Sequence, residues 1–307
     1  MGEYTMAELT SILVMQGFAG FSLFSVLLLM ALGLAIIFGQ MGVINMAHGE
    51  FMAVGAYTTY LLSVVSEKYF PGFMPYYFVF AIIASFFIAG FMGYLAELAL
   101  IRHLYKRPLD TLLATWGLSL IMQQSFRSIF GAREVSPILP EWLMGAFHAT
   151  DTIDIPLNGI FVLFLTIFVT AGVYILMFKS SWGLRVRATT QNRIMSGAVG
   201  INTKKVDRLT FALGCGIAGV AGAAFTTIAS TGPTTGSLYI VDTFMVVVFG
   251  GAASLFGTIA SAFTIAQAQS ILEFFISGSI AKVITLLTIV IILMLRPEGL
   301  FTIKVRK

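Results

Sequence analysis

The chain has 307 residues, 58% of them hydrophobic and only 10% charged, whereas a soluble domain is about a quarter charged. With a mean hydropathy of +0.94, that balance excludes a water-exposed globular surface. The formal net charge of +4 does not point to nucleic acid, because the basic residues sit in the breaks between apolar runs rather than over one face.

The first residues carry Glu3 and Glu8 and no Lys or Arg up to position 17, so the first apolar run lacks the basic flank of a cleaved signal peptide and reads as a retained helix. Apolar runs of roughly 20 residues, the length a helix needs to cross a hydrocarbon core, predict spans at 18–38, 44–65, 76–100, 110–130, 157–178 and 209–230. The runs are continuously apolar, without the alternation of a membrane β-barrel. The stretch 238–296 holds three more segments if the bend from Gly250 to Ser254 turns the chain back. The expected fold class is therefore all-α, a polytopic transmembrane bundle of about eight or nine segments forming one domain over 1–307.

Short-loop Lys and Arg residues mark the cytoplasmic side. Arg102, Lys106 and Arg107 form one cluster, seven basic residues in 179–208 a second, and Arg296, Lys304, Arg306 and Lys307 a third. The segment 131–156 has one Arg against Glu134, Glu141, Asp151 and Asp154. Nine segments with the N-terminus outside and the C-terminus inside satisfy every cluster.

Two segments read as broken helices, Gly39 to Glu50 and Phe249 to Gly257, at corresponding places in the two halves of the chain. Gly-interrupted helices so placed point to a central pathway built from an internal repeat, because unwound backbone survives in a membrane only where protein or water satisfies it. Two tight interfacial hairpins are the competing reading. If the second helix resumes at Asn45, then Asn45, His48 and Met52 share a face, with Glu50 further round. Polar and charged groups inside a membrane default to functional candidates, so Gln40, Asn45, His48 and Glu50 are candidate pathway residues, with helix capping as the alternative. The segment 230–242 adds Thr231, Thr234, Ser237, Tyr239 and Asp242, a run of neutral hydroxyls beside one acid suited to a small, strongly hydrogen-bonding solute. Glu97 and Glu273 are expected to pair locally. Gly214, Ala218 and Gly222 form a small-residue face for close helix packing. Cys215 is the single cysteine and the three histidines are scattered, so neither a metal site nor a cofactor is expected.

The basic loop 179–208 is the largest polar piece. Its part from Arg187 to Asn202, with Asn192, Arg193, Gly197 and Gly200, reads as one short amphipathic helix stopped by glycine and suited to docking a protein partner. The sequence holds no G-x-x-x-x-G-K-[ST] phosphate loop, so any ATP hydrolysis belongs to another subunit and the chain is not itself an enzyme.

Three motifs carry a resemblance. Asn45-Met46-Ala47-His48-Gly49-Glu50-Phe51 precedes Gly55-Ala56-Tyr57, Gly183 to Ala188 leads into Gly200-Ile201-Asn202, and Arg296-Pro297-Glu298-Gly299-Leu300-Phe301 closes the chain. Together they resemble the permease subunits of ATP-binding-cassette (ABC) importers of the branched-chain amino acid type. Val206 to Phe211, Ser230 to Asp242 and Met245 to Gly251 resemble the urea branch of that family most closely. The resemblance implies a bacterial inner-membrane importer that moves urea or short amides by alternating access, with a branched-chain amino acid as the alternative solute. It implies a second homologous permease, two cytoplasmic ATP-binding subunits, an external solute-binding protein, and a coupling helix within Arg187 to Asn202. Many such permeases carry Glu-Ala-Ala ahead of the coupling glycine, whereas the matching triplet here is Ala188-Thr189-Thr190, so no acidic contact carries over. A secondary transporter or passive channel would share the inverted repeats but need no docking helix.

Overall fold

The computed structural model describes residues 6–105, 107–150, 153–251, 254–296 and 299. Glu3, Lys106, Asp151, Ala252, Ala253, Pro297, Glu298, Leu300, Phe301, Lys304, Arg306 and Lys307, on which parts of the orientation, bend and motif readings fall, lie outside the described residues, as does the Glu8 side chain.

Eleven α-helices follow one another among the described residues: α1 (Met6–Met41), α2 (His48–Tyr69), α3 (Tyr77–Ala99), α4 (Pro108–Phe130), α5 (Leu157–Tyr174), α6 (Ser181–Gln191), α7 (Arg193–Ala198), α8 (Thr203–Phe225), α9 (Thr235–Gly250), α10 (Leu255–Phe275) and α11 (Gly278–Leu295). Among the described residues, α1, α3, α5, α8, α10 and α11 are long and apolar enough to cross a membrane. α2 and α4 match them in length but carry polar stripes, and α9 is apolar but only 16 residues long. The three segments expected in 238–296 are present, and α9 begins a little earlier, at Thr235. Among the described residues the helices are joined by one small antiparallel hairpin, β1 (Ala146–Thr150) with β2 (Ile153–Pro156), which pairs the backbone groups of the acidic connection ahead of α5, and by an isolated bridge between Val135 and Thr231.

Position in the bundle follows side-chain character. Of the most apolar window of each span, 72% is buried in α1 and 78% in α8, against 22% in α5 and 17% in α11. α1 and α8 are thus the central posts, and α5 and α11 turn apolar faces outward. α8 can occupy the centre because its inner faces are small. A methyl at Gly55 of α2 would overlap the Gly219 carbonyl oxygen, one at Gly33 of α1 the Gly214 carbonyl, and one at Gly222 the Met52 carbonyl. The expected small-residue face is therefore a set of backbone-to-backbone seams.

Local capping sets the remaining boundaries. Ser180 accepts from the Gly183 amide at 3.0 Å to start α6, and Asn192 from Met195 at 2.9 Å to start α7. Asn202 accepts from Lys205 at 3.0 Å to start α8, and Ser254 from Gly257 at 3.0 Å to start α10. Each such cap contributes about 1 kcal/mol. Asn192 corrects the expectation of a single loop helix. Its extended backbone and capping side chain end α6 and begin α7, so the segment from Arg187 to Asn202 is two helices followed by Gly200 at φ +85°.

Candidate functional site

The first break is real and buried. α1 ends at Met41, Gly42 takes φ +64°, and α2 starts at His48. His48 Nε2 lies 3.1 Å from the carbonyl oxygen of Met30, eleven residues before the end of α1. At 1.5 Å per residue, His48 sits about 16 Å back along that helix. Residues 42–47 therefore double back along α1, and α2 begins inside the helix pack rather than at its rim.

Asn45 corrects the shared-face expectation, because it lies in the unwound segment and not on α2. Its Oδ1 accepts from the Ala47 amide at 3.1 Å, bending the chain into the helix. The three polar residues point to three neighbours: Asn45 to its own turn, His48 to α1 and Glu50 to α4. Glu50 Oε1 accepts from Gln123 Nε2 at 2.9 Å and from Ser119 Oγ at 3.1 Å. Thr115, one turn before Ser119, accepts from the Met46 amide at 3.1 Å. Asn45, His48 and Glu50 are each no more than 1% exposed. Asn45 Nδ2, His48 Nδ1, Glu50 Oε2 and the Tyr57 hydroxyl have no protein partner.

The second polar segment meets the first. α9 starts at Thr235, and Gly236 packs on Gly49 so closely that a methyl on either would overlap the other's backbone. Two helix N-termini, each beginning after an interruption, thus lie side by side. The first-turn amides of His48, Glu50 and Phe51 donate to the Asn45 and Ala47 carbonyls and that of Thr235 to Gly232, and the dipoles of both helices place partial positive charge there. The Gly236 amide follows Pro233 and Thr234, whose turn is closed by Gly232 N donating to Thr235 Oγ1 at 2.8 Å.

Not every candidate hydroxyl joins this site. Thr231 is buried and pairs backbone to backbone with Val135 in both directions at 2.9 Å, leaving its Oγ1 without a partner. Thr234 is exposed, and Ser237 donates to its carbonyl at 2.8 Å. Tyr239 stacks edge-on against Phe225 at 5.1 Å and lies beneath Lys282. Asp242 is taken by Lys282 at 2.8 Å. A continuous hydroxyl lining is therefore not what the segment builds. Gln40 lies elsewhere too: its side-chain oxygen accepts from the Thr190 hydroxyl of α6 at 2.7 Å. The second expected break is present as Gly251 at φ +87°, between α9 and the Ser254-capped start of α10.

On the basic side of the molecule, Arg193 at the start of α7 is ion-paired with Asp207 of α8 and lies over the Tyr105 ring at 5.3 Å. Tyr105 donates to Glu97 Oε1 at 2.8 Å, and Arg208 Nε donates to Glu97 Oε2 at 3.1 Å. Burial, reinforced by the Glu97 hydrogen bond, pushes the Tyr105 phenol up from its ordinary value. Arg187 donates to the Met177 carbonyl and covers the Phe178 ring at 5.4 Å. Asn192 and Asn202 serve as caps, while Gly197 and Gly200 face open space. Ile194, Met195 and Val199 project outward from the same short helix and its end, largely exposed.

Ser119 and Gln123 were not singled out in the sequence. Their signal is an i, i+4 row, Thr111, Thr115, Ser119 and Gln123, whose polar groups share one side of an otherwise apolar helix.

Membrane-length helices enclosing two interrupted segments define a polytopic membrane protein of the transport class. The chain belongs to the family described as the branched-chain amino acid transport system permease component, whose model matches residues 17–293. It is 26% identical to a protein named probable branched-chain amino acid transport permease protein LivH from Methanocaldococcus jannaschii, over 98% of this chain and 95% of that one. It is 24% identical to the high-affinity branched-chain amino acid permease LivH of Salmonella typhimurium, over 96% and 97%, and 24% identical to BraD of Pseudomonas aeruginosa, over 92% and 93%. No solved structure matches the chain.

Proposed function

We propose that this chain is the membrane permease of an ABC importer whose solute is a branched-chain amino acid, taken through the bundle at the junction of α2 and α9. The observation that carries this reading is the contact of two helix N-termini at Gly49 and Gly236. A pair of positive dipole ends suits a carboxylate. The buried, partly unpartnered Asn45 and His48 lie beside that junction, and Glu50 supplies the complementary negative charge an ammonium group needs. The names of the relatives support the same solute. Gln40, Thr231, Thr234, Ser237, Tyr239 and Asp242 are then supporting rather than solute-touching residues.

Urea is the second reading. It rests on the resemblance of Val206–Phe211, Ser230–Asp242 and Met245–Gly251 to the urea branch, and on the neutral donors and acceptors of Asn45 and Thr231. A neutral amide gains less from the paired dipoles than a carboxylate does, which is why it ranks behind.

In this reading the chain forms a single permease domain, multi-pass in a bacterial inner membrane, with the N-terminus outside and the basic end cytoplasmic. It pairs with a second permease, takes solute from an external binding protein and is driven by two ATP-binding subunits. Ile194, Met195 and Val199 around Gly197 form the apolar knob that seats in the ATPase, with Arg187, Asn192, Arg193, Gly200 and Asn202 holding its geometry. ATP-driven closure pushes α6 and α7, and the push reaches the break through the Thr190–Gln40 bond.

The test is uptake of radiolabelled leucine and of urea at low concentration in cells lacking the chain. Leucine uptake is expected to fall, to return with the native chain, and to stay low with Gly197→Trp, a change with nothing within 4 Å to disturb. Loss of urea uptake alone moves the solute to the second reading. Loss of neither overturns both.

A further inference from the structure

A cavity of about 960 Å³ opens on the basic end of the bundle, between the ends of α1 and α3 and the starts of α4, α7 and α8. Among the described residues, six of its nine lining residues are Arg102, His103, Arg107, Arg193, Lys204 and Arg208. The carboxylates near them are already committed: Glu97 to Arg208 and Tyr105, Asp207 to Arg193, and Asp110 to Arg107 at 3.5 Å. Arg102 and Lys204 have no carboxylate partner among the described residues, and Arg102 Nε donates instead to His103 Nε2 at 3.2 Å.

The outer faces of α3 and α4, the helices that end and begin at this cavity, form apolar walls beside it. On α3, Phe87, Phe91 and Leu95 form an exposed i, i+4 row that runs toward Arg102. On α4, Leu109 and Leu113 are exposed next to Arg107. A soluble anion has no use for such walls, whereas two acyl chains do.

We infer that the cavity binds the phosphate of an anionic diacyl phospholipid, with the headgroup between Arg102 and Lys204 and the acyl chains along the outer faces of α3 and α4. Basic pockets between helices at a membrane edge hold such headgroups by charge and hydrogen bonding together. The site shares Arg193 with the loop of α6 and α7, so bound lipid would brace the base of that loop without touching solute. The inference does not depend on which solute the chain carries.

The experiment is native mass spectrometry and thermal unfolding of the full chain in nanodiscs of phosphatidylcholine alone or with phosphatidylglycerol. The native chain is expected to retain phosphatidylglycerol in preference and to unfold at a higher temperature when it is present. The R102Q/K204Q pair is expected to lose that preference roughly 30-fold, about fivefold for each cation removed. The charge-keeping pair R102K/K204R and the control Arg133→Gln, just past the far end of α4, are expected to keep it. If the double variant does not fold, each single change is read against its fivefold expectation. Retention unchanged in R102Q/K204Q overturns the proposal. So does equal stabilisation by inorganic phosphate alone, which would make the ligand a soluble anion, and so does loss confined to capture of the ATP-binding subunits, which would make it an acidic protein surface.

Discussion

The hydroxyl of Thr190 donates to the side-chain oxygen of Gln40 at 2.7 Å, joining α6 of the basic loop to the last turn of α1, one residue before that helix ends at the first break. The bond crosses 150 residues of sequence and is the direct polar link between the loop and the break. Thr190→Val is expected to cost no more than about 1 kcal/mol of stability, the net worth of an exposed hydrogen bond. Uptake is expected to fall while ATP hydrolysis by the assembled importer continues. Gln40→Leu removes the side-chain acceptor but leaves the Gln40 carbonyl 3.1 Å from the same hydroxyl, so it should uncouple less than Thr190→Val, and the two together no more than Thr190→Val alone. Additive loss would show that the bond is not the route.

The seam between Gly55 and Gly219 leads to a larger effect. Alanine at 55 forces the α2 and α8 backbones apart, an overpacking that costs about 3 kcal/mol or more. Gly117→Ala in α4 meets nothing within 4 Å and is expected to gain about 0.5–1 kcal/mol from its higher helix propensity. Thermal unfolding in detergent separates the two, and equal effects would sink the seam as a packing determinant.

Asp207 and Arg193 predict an asymmetry. The carboxylate side chain is 5% exposed and the guanidinium side 46%. Arg193→Ala strands a buried charge and is expected to cost about 2 kcal/mol, below the range for fully buried pairs because water can follow the missing arginine. Asp207→Asn leaves Arg193 free to turn to solvent and is expected to cost about half as much. Denaturant unfolding of the two variants checks the order, and the reverse order would contradict it.

Glu50 joins α2 to α4 through Ser119 and Gln123. Glu50→Ala takes the carboxylate from both donors, at a cost of about 2 kcal/mol, and Gln123→Ala removes one of the two bonds to Glu50 together with its own bond to Ser119 Oγ at 3.0 Å, at about 1 kcal/mol. Because the pair shares one network, the double variant is expected to fall short of the sum by about 1 kcal/mol. Strict additivity in a thermal double-mutant cycle would mean that the bond contributes nothing.

Where the sequence was readable, it was readable through length and hydropathy. The runs of α3, α5 and the three segments after 238 needed only the match between apolar stretch and bilayer thickness, and Gly251 marked its own bend. The site was less readable. Asn192 looked like one more polar residue inside a helix, because capping is a property of backbone torsion that composition does not carry. The hydroxyl run from Thr231 to Ser237 reads as a lining, yet Thr235 and Ser237 are spent on local turns and Thr231 pairs with Val135 through its backbone. Ser119 and Gln123 stand 69 and 73 residues from Glu50, and no local pattern specifies which helix a buried carboxylate will meet.

Gly42, by contrast, is a matter of handedness alone. Its φ is +64° and no atom crowds the place a side chain would take. An L-alanine there is expected to cost about 1–2 kcal/mol for the backbone conformation and nothing for its volume. A D-alanine, introduced by semisynthesis, would carry the same methyl group at no torsional cost. The joint that lets α2 start deep inside the bundle thus asks for an achiral or mirror-image residue rather than a small one, and a pair of enantiomers at a single position distinguishes the two.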